Sequence, residues 1–109
     1  MGVAEAILIR AAVPTRGIAA MRARRGVSEQ TPAFRIARGP GNLCRAFGVD
    51  RTLNGADLTG SALTIRRARF YAPSEVRHTP RVGIDYAGPY VAKRWRLCVR
   101  DEPAVSGPR

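Results

Sequence analysis

Residues 94–100 read RWRLCVR, the cleanest alternation of polar and apolar side chains in the sequence. Trp95, Leu97 and Val99 share one side of an extended chain, and the three arginines share the other side with Cys98. This period of two predicts a half-buried antiparallel strand, with its apolar side in a core and its basic side in solvent. The stretch therefore indicates a sheet in the C-terminal part of the chain.

The sequence before this stretch predicts two more strands and a helix. Residues 62–70 (ALTIRRARF) alternate at first, whereas residues 4–12 (AEAILIRAA) are apolar on nearly both sides, as expected of a central or well-covered strand. Thr15 can cap a helix that runs to about Arg25, where Gly26 supplies a stop. The predicted fold class is α+β, with an antiparallel sheet and short packed helices.

The other segments are short or irregular. Gly39-Pro40-Gly41 leads into a predicted helix from Asn42 to Phe47, which ends at Gly48. The remaining predictions are a loop over residues 27–37, an Asn54-Gly55 turn within residues 50–58, and a frayed tail over residues 102–109. At 109 residues, residues 1–109 form one domain or part of one.

Arginine dominates the charge of the chain. Nineteen Lys and Arg stand against eight Asp and Glu, which leaves a net charge of +11, and eighteen of the nineteen cations are arginine. An excess of this size in a small protein favours a polyanionic partner, and nucleic acid is the first candidate. Hydrophobic residues make up 45% of the sequence, which argues for a folded domain and against a disordered basic tail.

The cysteines and the apolar runs exclude several other classes. Cys44 and Cys98 lie far apart, without the spacing of a zinc site or a disulfide framework. The longest apolar stretch, residues 3–13, is interrupted by charges and falls short of the roughly 18 residues that a membrane span needs. We expect no zinc site and no membrane association, and a cytoplasmic location with reduced thiols.

Arg10 is the most informative single residue, because a lone guanidinium in an apolar strand is costly to bury without a partner. Glu5 falls on the opposite side of that strand, and the other acids follow much later in the sequence. Two interpretations are open. Arg10 either lies at a strand end, in water or paired with a later acid, or it is an active-site cation whose partner is absent from this chain.

Several other arginines are candidate phosphate contacts. In the helix over residues 15–25, Arg22 and Arg25 are three positions apart and form the natural pair, although a solvated face with last-turn cations explains them as well. Arg38 precedes the glycine-rich turn, whose N–H groups suit a phosphate and equally an ordinary loop-to-helix junction. We expect His78 to be exposed and most aromatic side chains to lie in the core, and the sequence shows no catalytic triad or metal motif.

Three blocks of sequence follow one another in a specific order. They read AILIRAAVPTRGIAAMRARRG, RGPGNLCRAFGVDRTLNGADL and RVGIDYAGPYVAKRWRLCVRDEPAVS, beginning at Ala6, Arg38 and Arg81. Together they resemble the C-terminal half of the alkyladenine (3-methyladenine) DNA glycosylase family. The resemblance covers nearly the whole chain and is weakest over residues 27–37 and 64–79.

This resemblance implies an enzyme of base excision repair that removes alkylated purines from double-stranded DNA without a metal or other cofactor. Such enzymes flip the damaged nucleotide out of the duplex, and a glutamate activates a water that attacks the sugar. The family's glutamate, pocket residues and intercalating tyrosine precede the strand that holds Arg10. We therefore expect a truncated or misassigned form that is inactive alone, with a non-catalytic basic nucleic-acid-binding module as the alternative.

The resemblance also implies roles for individual residues. Arg10 matches an arginine that helps to hold the catalytic water, and Arg25 and Arg51 match positions that contact DNA phosphates. Asn42 stands where a lysine often follows the glycine-rich turn, so it offers a neutral hydrogen bond in place of a charge. The predicted DNA-binding set is Arg22, Arg25, Arg38, Asn42 and Arg51. We expect a monomer for the full-length family domain and self-association for the fragment, whose uncovered strand exposes apolar surface.

Overall fold

A computed structural model describes residues 6–67, 69–83 and 85–107 and shows three helices followed by a small sheet. The helices are α1 (Ile18–Arg25), α2 (Ala33–Ile36) and α3 (Pro40–Phe47), and the strands are β1 (Val76–Thr79) and β2 (Arg96–Val99). Further 3₁₀ segments span Arg51–Leu53, Pro73–Glu75 and Asp85–Ala92. Because β1 and β2 pair antiparallel, the α+β class with an antiparallel sheet is confirmed.

Glycine ends both longer helices where the sequence predicts it. Gly26 and Gly48 each have φ 67°, a left-handed conformation that costs a residue with a Cβ atom about 1–2 kcal/mol. The next residue then bonds back into the helix: Val27 N–H donates to Arg22 O at 3.2 Å, and Val49 N–H donates to Cys44 O at 2.8 Å. These bonds satisfy carbonyls that a helix end otherwise leaves without partners.

The predicted helix starts are less accurate. α1 begins at Ile18 and not after Thr15, because Gly17 is left-handed (φ 68°) and its carbonyl accepts the first helical bond, from Met21 N–H at 3.0 Å. α3 begins at Pro40, two residues before the predicted start, since proline suits the first helical position. The predicted loop over residues 27–37 is wrong in its last third, where α2 forms.

The three helices enclose one small core. Met21, Ile36, Ala37 and Ala46 are buried together, and the partly buried apolar residues against them are Ala12, Ile18, Ala33 and Leu43. Half of these side chains are alanines, so the core is small in volume. This cluster holds residues 11–48 together, and we call that part of the chain the helical region.

Two predicted strands are not found. In residues 62–70 no strand forms among the described positions, and Ala68 lies outside them. Residues 4 and 5 also lie outside the described residues, and the rest of the predicted strand over 4–12 makes a single bridge, from Ala11 to Arg38. A strand exists only by continuous pairing with a neighbour, and the described part of the chain supplies no more than that one bridge to these segments.

β2 lies where the sequence predicts it, but with its two faces exchanged. Arg96 and Cys98 are buried, at 5% and 9% exposure, whereas Trp95 and Leu97 are 55% and 62% exposed. The predicted apolar-in, basic-out orientation is therefore wrong. Alternation of polar and apolar residues locates a strand, but it does not determine which face of the strand packs against another segment.

The C-terminal segment is the reason for this exchange. The Arg96 guanidinium donates to Thr79 Oγ1 at 3.0 Å and to the carbonyl oxygen of Ser106, so its buried charge has partners. Ala104 and Val105 are buried in the same segment, which departs from the predicted frayed tail. Residues 108 and 109 lie outside the described residues. We call residues 69–83 and 85–107 together the strand region.

Candidate functional site

An open cleft of about 990 Å³ lies between the N-terminal segment, residues 6–13, and β2. Its walls are mainly apolar, and the charged side chains that line it include Arg10, Arg81 and Glu102. A concave, mostly apolar surface with a few converging polar groups is the usual form of a ligand site. The cleft is therefore the candidate functional site.

Arg10 lies on the N-terminal wall of this cleft and is half-buried. Its Nε is buried and makes no hydrogen bond with any residue that the structure describes. Glu102 lines the same cleft, but its Oε1 accepts the N–H of Ala104 at 3.1 Å. Among the side chains that the structure describes, Arg10 forms no ion pair with a later acid, which was one of the interpretations left open; the side chain of Asp85 lies outside that set.

The arginines of α1 hold neighbouring helices by their main-chain carbonyls. Arg24 Nε donates to Ala46 O at 2.6 Å, and Arg25 Nε donates to Ile36 O at 2.7 Å. These carbonyls lie in the last turns of α3 and α2, where acceptors are unsatisfied and the helix dipole is negative. Arg22 Nη2 donates similarly to Thr31 O at 2.9 Å. The sequence gives no signal for these contacts, which depend on the packing of separate elements.

The other predicted DNA-binding residues occupy different positions. Arg38 Nε donates to Val105 O at 3.0 Å, and Asn42 Nδ2 donates to the main-chain oxygen of Arg38 at 3.0 Å. The bridge between Ala11 and Arg38 brings this pair beside the segment that carries Arg10. Arg51 is exposed in its 3₁₀ segment beyond α3. The structure thus brings Arg10, Arg38 and Asn42 into one neighbourhood.

Asp50 fixes the turn that presents Arg51. The Thr52 hydroxyl and the Thr52 N–H, the latter at 2.9 Å, both donate to Asp50 Oδ1 and hold the pKa of this carboxyl below its ordinary value. Asp57 has the same arrangement with Thr59, whose hydroxyl and N–H lower the Asp57 pKa. Charge-assisted bonds of this kind favour the ionised carboxylate. Arg51 therefore lies in a turn with a defined shape.

The aromatic side chains are mostly exposed, contrary to the prediction that most are core residues. Phe70, Trp95 and Tyr90 are among the most exposed of the large apolar residues. Several of the aromatics have an arginine over the ring, as where Arg81 Cζ lies 4.9 Å from the centroid of Trp95. Such stacking is a cation–π contact, which the sequence pattern does not predict. The prediction that His78 is exposed is confirmed.

The described part of the chain offers neither a cluster of metal ligands nor a membrane-spanning helix. Among the described side chains, those of residues 6–67, 69–83 and 88–107, no group of three or more His, Cys, Asp or Glu is arranged to hold a metal ion. Over the same part of the chain, no helix is both long and apolar enough to cross a membrane.

Comparison with known proteins places the sequence in one family. Residues 1–103 match the family model described as methylpurine-DNA glycosylase. A relative from Natranaerobius thermophilus is 38% identical over 94% of this chain and 52% of its own length. Relatives from Herpetosiphon aurantiacus and Anaeromyxobacter dehalogenans are 39% and 41% identical, over 100% and 98% of this chain and 50% and 44% of their own lengths. All three are named "Putative 3-methyladenine DNA glycosylase", and this chain spans about half their length.

Proposed function

The chain belongs to the methylpurine-DNA glycosylase family, and we propose that it supplies the DNA-binding part of an enzyme that removes alkylated purines from double-stranded DNA. The observation that carries this proposal is the family match over residues 1–103, which includes Arg10 and the whole predicted DNA-binding set. Because the chain spans about half the length of its relatives, the complete reaction is proposed for the family domain and not for this chain alone.

The chemistry proposed for that domain is hydrolysis of the N-glycosidic bond. A water oxygen bonds to the anomeric carbon as the bond to the base breaks, and the base leaves with the bonding electrons while a general base takes the proton. An alkylated purine is cationic, so it departs without help from an acid. Arg10 would help to orient this water, since it lines the cleft and its buried Nε has no hydrogen-bond partner among the described residues. We assign no residue of this chain as the general base.

The proposed DNA contacts follow from unused donor capacity on the arginines. A guanidinium has five N–H donors, so Arg25 and Arg38 can hold carbonyls through Nε and still offer other N–H groups to phosphates. The exposed Arg51 offers its whole guanidinium. The described residues contain one ion pair, Arg69 with Glu75, so most of the positive charge is not neutralised within that part of the chain. This supports a polyanionic partner.

Salt dependence tests the DNA-binding half of the proposal. The logarithm of the binding constant for duplex DNA should fall linearly with the logarithm of salt concentration, with a slope of about −0.9 per neutralised phosphate. Arg51→Ala should make that slope less negative by about 0.9. Glu29→Ala, which removes a charge of the opposite sign from an exposed site outside the predicted set, is the control and should leave the slope unchanged. A binding constant independent of salt would contradict the proposal.

A single-turnover excision assay tests the catalytic half. The substrate is duplex DNA that carries one alkylated purine, and the control for contaminating glycosylase is an identical preparation of the Arg10→Ala variant. We expect salt-dependent binding and no base release by the chain alone. Release that Arg10→Ala abolishes would show that the chain activates water by itself and would overturn the proposed division of roles.

The second candidate function is a non-catalytic basic module that binds nucleic acid. The observation that favours it is Arg10 itself, which has no carboxylate beside it within the described residues. The two candidates differ in their preference for damage. A module that has lost the chemistry binds intact and alkylated duplexes equally, whereas the glycosylase portion binds the alkylated duplex more tightly once the domain is complete.

A further inference from the structure

Residues 66–71, which read RRARFY, carry three arginines and two aromatic side chains shortly before β1. All five of these side chains are exposed, and we call them the arginine–aromatic patch: Arg66, Arg67, Arg69, Phe70 and Tyr71. Of the five, only Tyr71 lines the cleft. The patch is therefore a second surface, and it falls within residues 64–79, for which the family resemblance implies no role.

Two of the arginines lie over the two rings. Arg67 Cζ is 5.1 Å from the centroid of Phe70, and Arg69 Cζ is 4.4 Å from the centroid of Tyr71. Both distances fall within the range of about 6 Å over which a cation is attracted to a ring face. Because Phe70 is still 77% exposed, most of its ring is available for a further contact.

Most of the positive charge of the patch is not neutralised by the described side chains. Arg69 pairs with Glu75, at 3.5 Å between Nη2 and Oε2, whereas Arg66 and Arg67 form no ion pair within that set. A guanidinium has five N–H donors, so Arg67 can lie over a ring and still donate from its edge. The patch therefore favours a partner with several negatively charged oxygens.

A partner that has both flat rings and phosphates fits the two features together. Proteins bind unpaired nucleic acid by stacking bases on aromatic side chains and by placing cations along the backbone. In a duplex the base faces are covered by neighbouring base pairs, so only an unpaired base can stack on Phe70. An acidic polypeptide would neutralise the charge, but few of its side chains offer a flat face.

We propose that the arginine–aromatic patch binds single-stranded nucleic acid, with a base stacked on Phe70 and with phosphates held by Arg66 and Arg67. This surface is additional to the duplex contacts proposed above and does not rest on them. The Arg51→Ala titration uses duplex DNA, whereas the tests of the patch use an unpaired strand. Either proposal can therefore fail while the other stands.

Matched leucine variants test the stacking. Binding of a fluorescently labelled oligothymidylate is followed by anisotropy. Phe70→Leu keeps an apolar side chain but removes the ring, and should weaken binding about fivefold or more. Phe47→Leu makes the same change at another exposed phenylalanine, in α3, and should leave the affinity unchanged. Circular dichroism checks that both variants fold. Equal effects of the two variants, or no effect of Phe70→Leu, would overturn the proposal.

A tryptophan at the same position gives a spectroscopic reading of the contact. Phe70→Trp retains an aromatic face, so it should bind oligothymidylate at least as tightly as the original chain does. Its fluorescence should be quenched on binding, beyond any change of Trp95, the only native tryptophan. Binding without additional quenching would mean that no base stacks at position 70 and would overturn the assignment.

Two further probes separate bases from charge. An oligomer of abasic sites with the same length carries the same phosphates without bases, and should bind about fivefold more weakly or worse. Polyglutamate at equal charge should not displace oligothymidylate. Equal binding of the abasic oligomer would leave a purely electrostatic surface, and displacement by polyglutamate would assign the patch to an acidic polypeptide. Either result would overturn the proposal.

Salt dependence tests the phosphate contacts. For an unpaired strand the logarithm of the binding constant falls with the logarithm of salt concentration by about 0.7 per phosphate contact. Arg66→Ala should make the slope less negative by about that amount. Arg16→Ala, at an exposed arginine that precedes α1, is the control and should leave the slope unchanged. A slope that Arg66→Ala does not change would contradict the assigned contact.

Discussion

The helical region and the strand region differ in how far their apolar side chains are covered and their polar atoms are hydrogen-bonded. In the helical region, arginines satisfy helix-end carbonyls and the apolar side chains close around Ile36, which is completely buried. In the strand region, the apolar face of β2 is open and Arg81 Nε, at the cleft, has no partner within the described residues. The difference teaches that local contacts complete the first region, whereas the second leaves apolar side chains exposed and polar atoms without partners among the described residues.

The largest expected effect is a difference in stability between the same isoleucine-to-alanine substitution made in each of the two regions. Ile36→Ala should lower the free energy of unfolding by about 2–5 kcal/mol, because it leaves a cavity in a closed core. Ile7→Ala removes the same atoms from a side chain that is 93% exposed and should change the stability by less than about 0.5 kcal/mol. Urea denaturation of both variants measures the contrast.

Ile36→Val serves where the alanine variant is too unstable to purify, with an expected loss of about 0.5–1.5 kcal/mol. Equal losses at Ile36 and Ile7 would break the comparison, since they would mean that the N-terminal wall of the cleft is packed in solution.

A smaller effect is expected from the arginine that holds the end of α3. Arg24→Met keeps much of the side-chain length but removes the donor to Ala46 O, and should cost about 1–2 kcal/mol of stability. Arg16→Met is the matched control, because Arg16 is exposed and precedes α1. Thermal unfolding followed by circular dichroism compares the two. Equal stability of the two variants would mean that Arg24 contributes no more to stability than an ordinary surface arginine.

The smallest expected effect is a loss of stability at low pH, when Asp50 is protonated. The lowered pKa of Asp50 means that its contribution to stability is complete above the ordinary value of 3.8 and is lost as pH falls through the lower, folded-state pKa. Because this carboxyl is fully exposed, the loss should be small and confined to the turn that holds Arg51. The amide shift of Thr52 against pH, followed by NMR with Asp50→Asn as the control, checks it. A Thr52 midpoint above 3.8 would reverse the assigned direction.

The sequence is most informative where the backbone conformation depends on the identity of a single residue. Gly26 and Gly48 end helices because a left-handed residue is needed there, and glycine takes that conformation freely. Gly17 has the same conformation at a helix start, which no capping rule predicts, so the start of α1 was placed too early. Arg10 is a lone cation in an apolar segment of the sequence, and its catalytic role stays a prediction.

The sequence was least informative where a contact joins distant segments. The alternation in residues 94–100 locates β2 but carries no information on which face the C-terminal segment covers. The bonds of Arg24 and Arg25 to helix-end carbonyls span 22 and 11 positions, and nothing in the local pattern distinguishes them from solvated cations. The DNA-binding set therefore mixes Arg51, which is free of such a structural task, with arginines that also hold the fold.

The bond from Arg38 to Val105 has a consequence for synthesis of the chain. It joins positions 67 residues apart, whereas Arg24 and Ala46 are only 22 apart. On a translating ribosome, α1 and α3 can meet before Val105 has left the exit tunnel, whereas Arg38 cannot form its bond until Val105 has emerged. Since short loops close before long ones, the helical region should be the first part to emerge folded, and the cleft should take shape last.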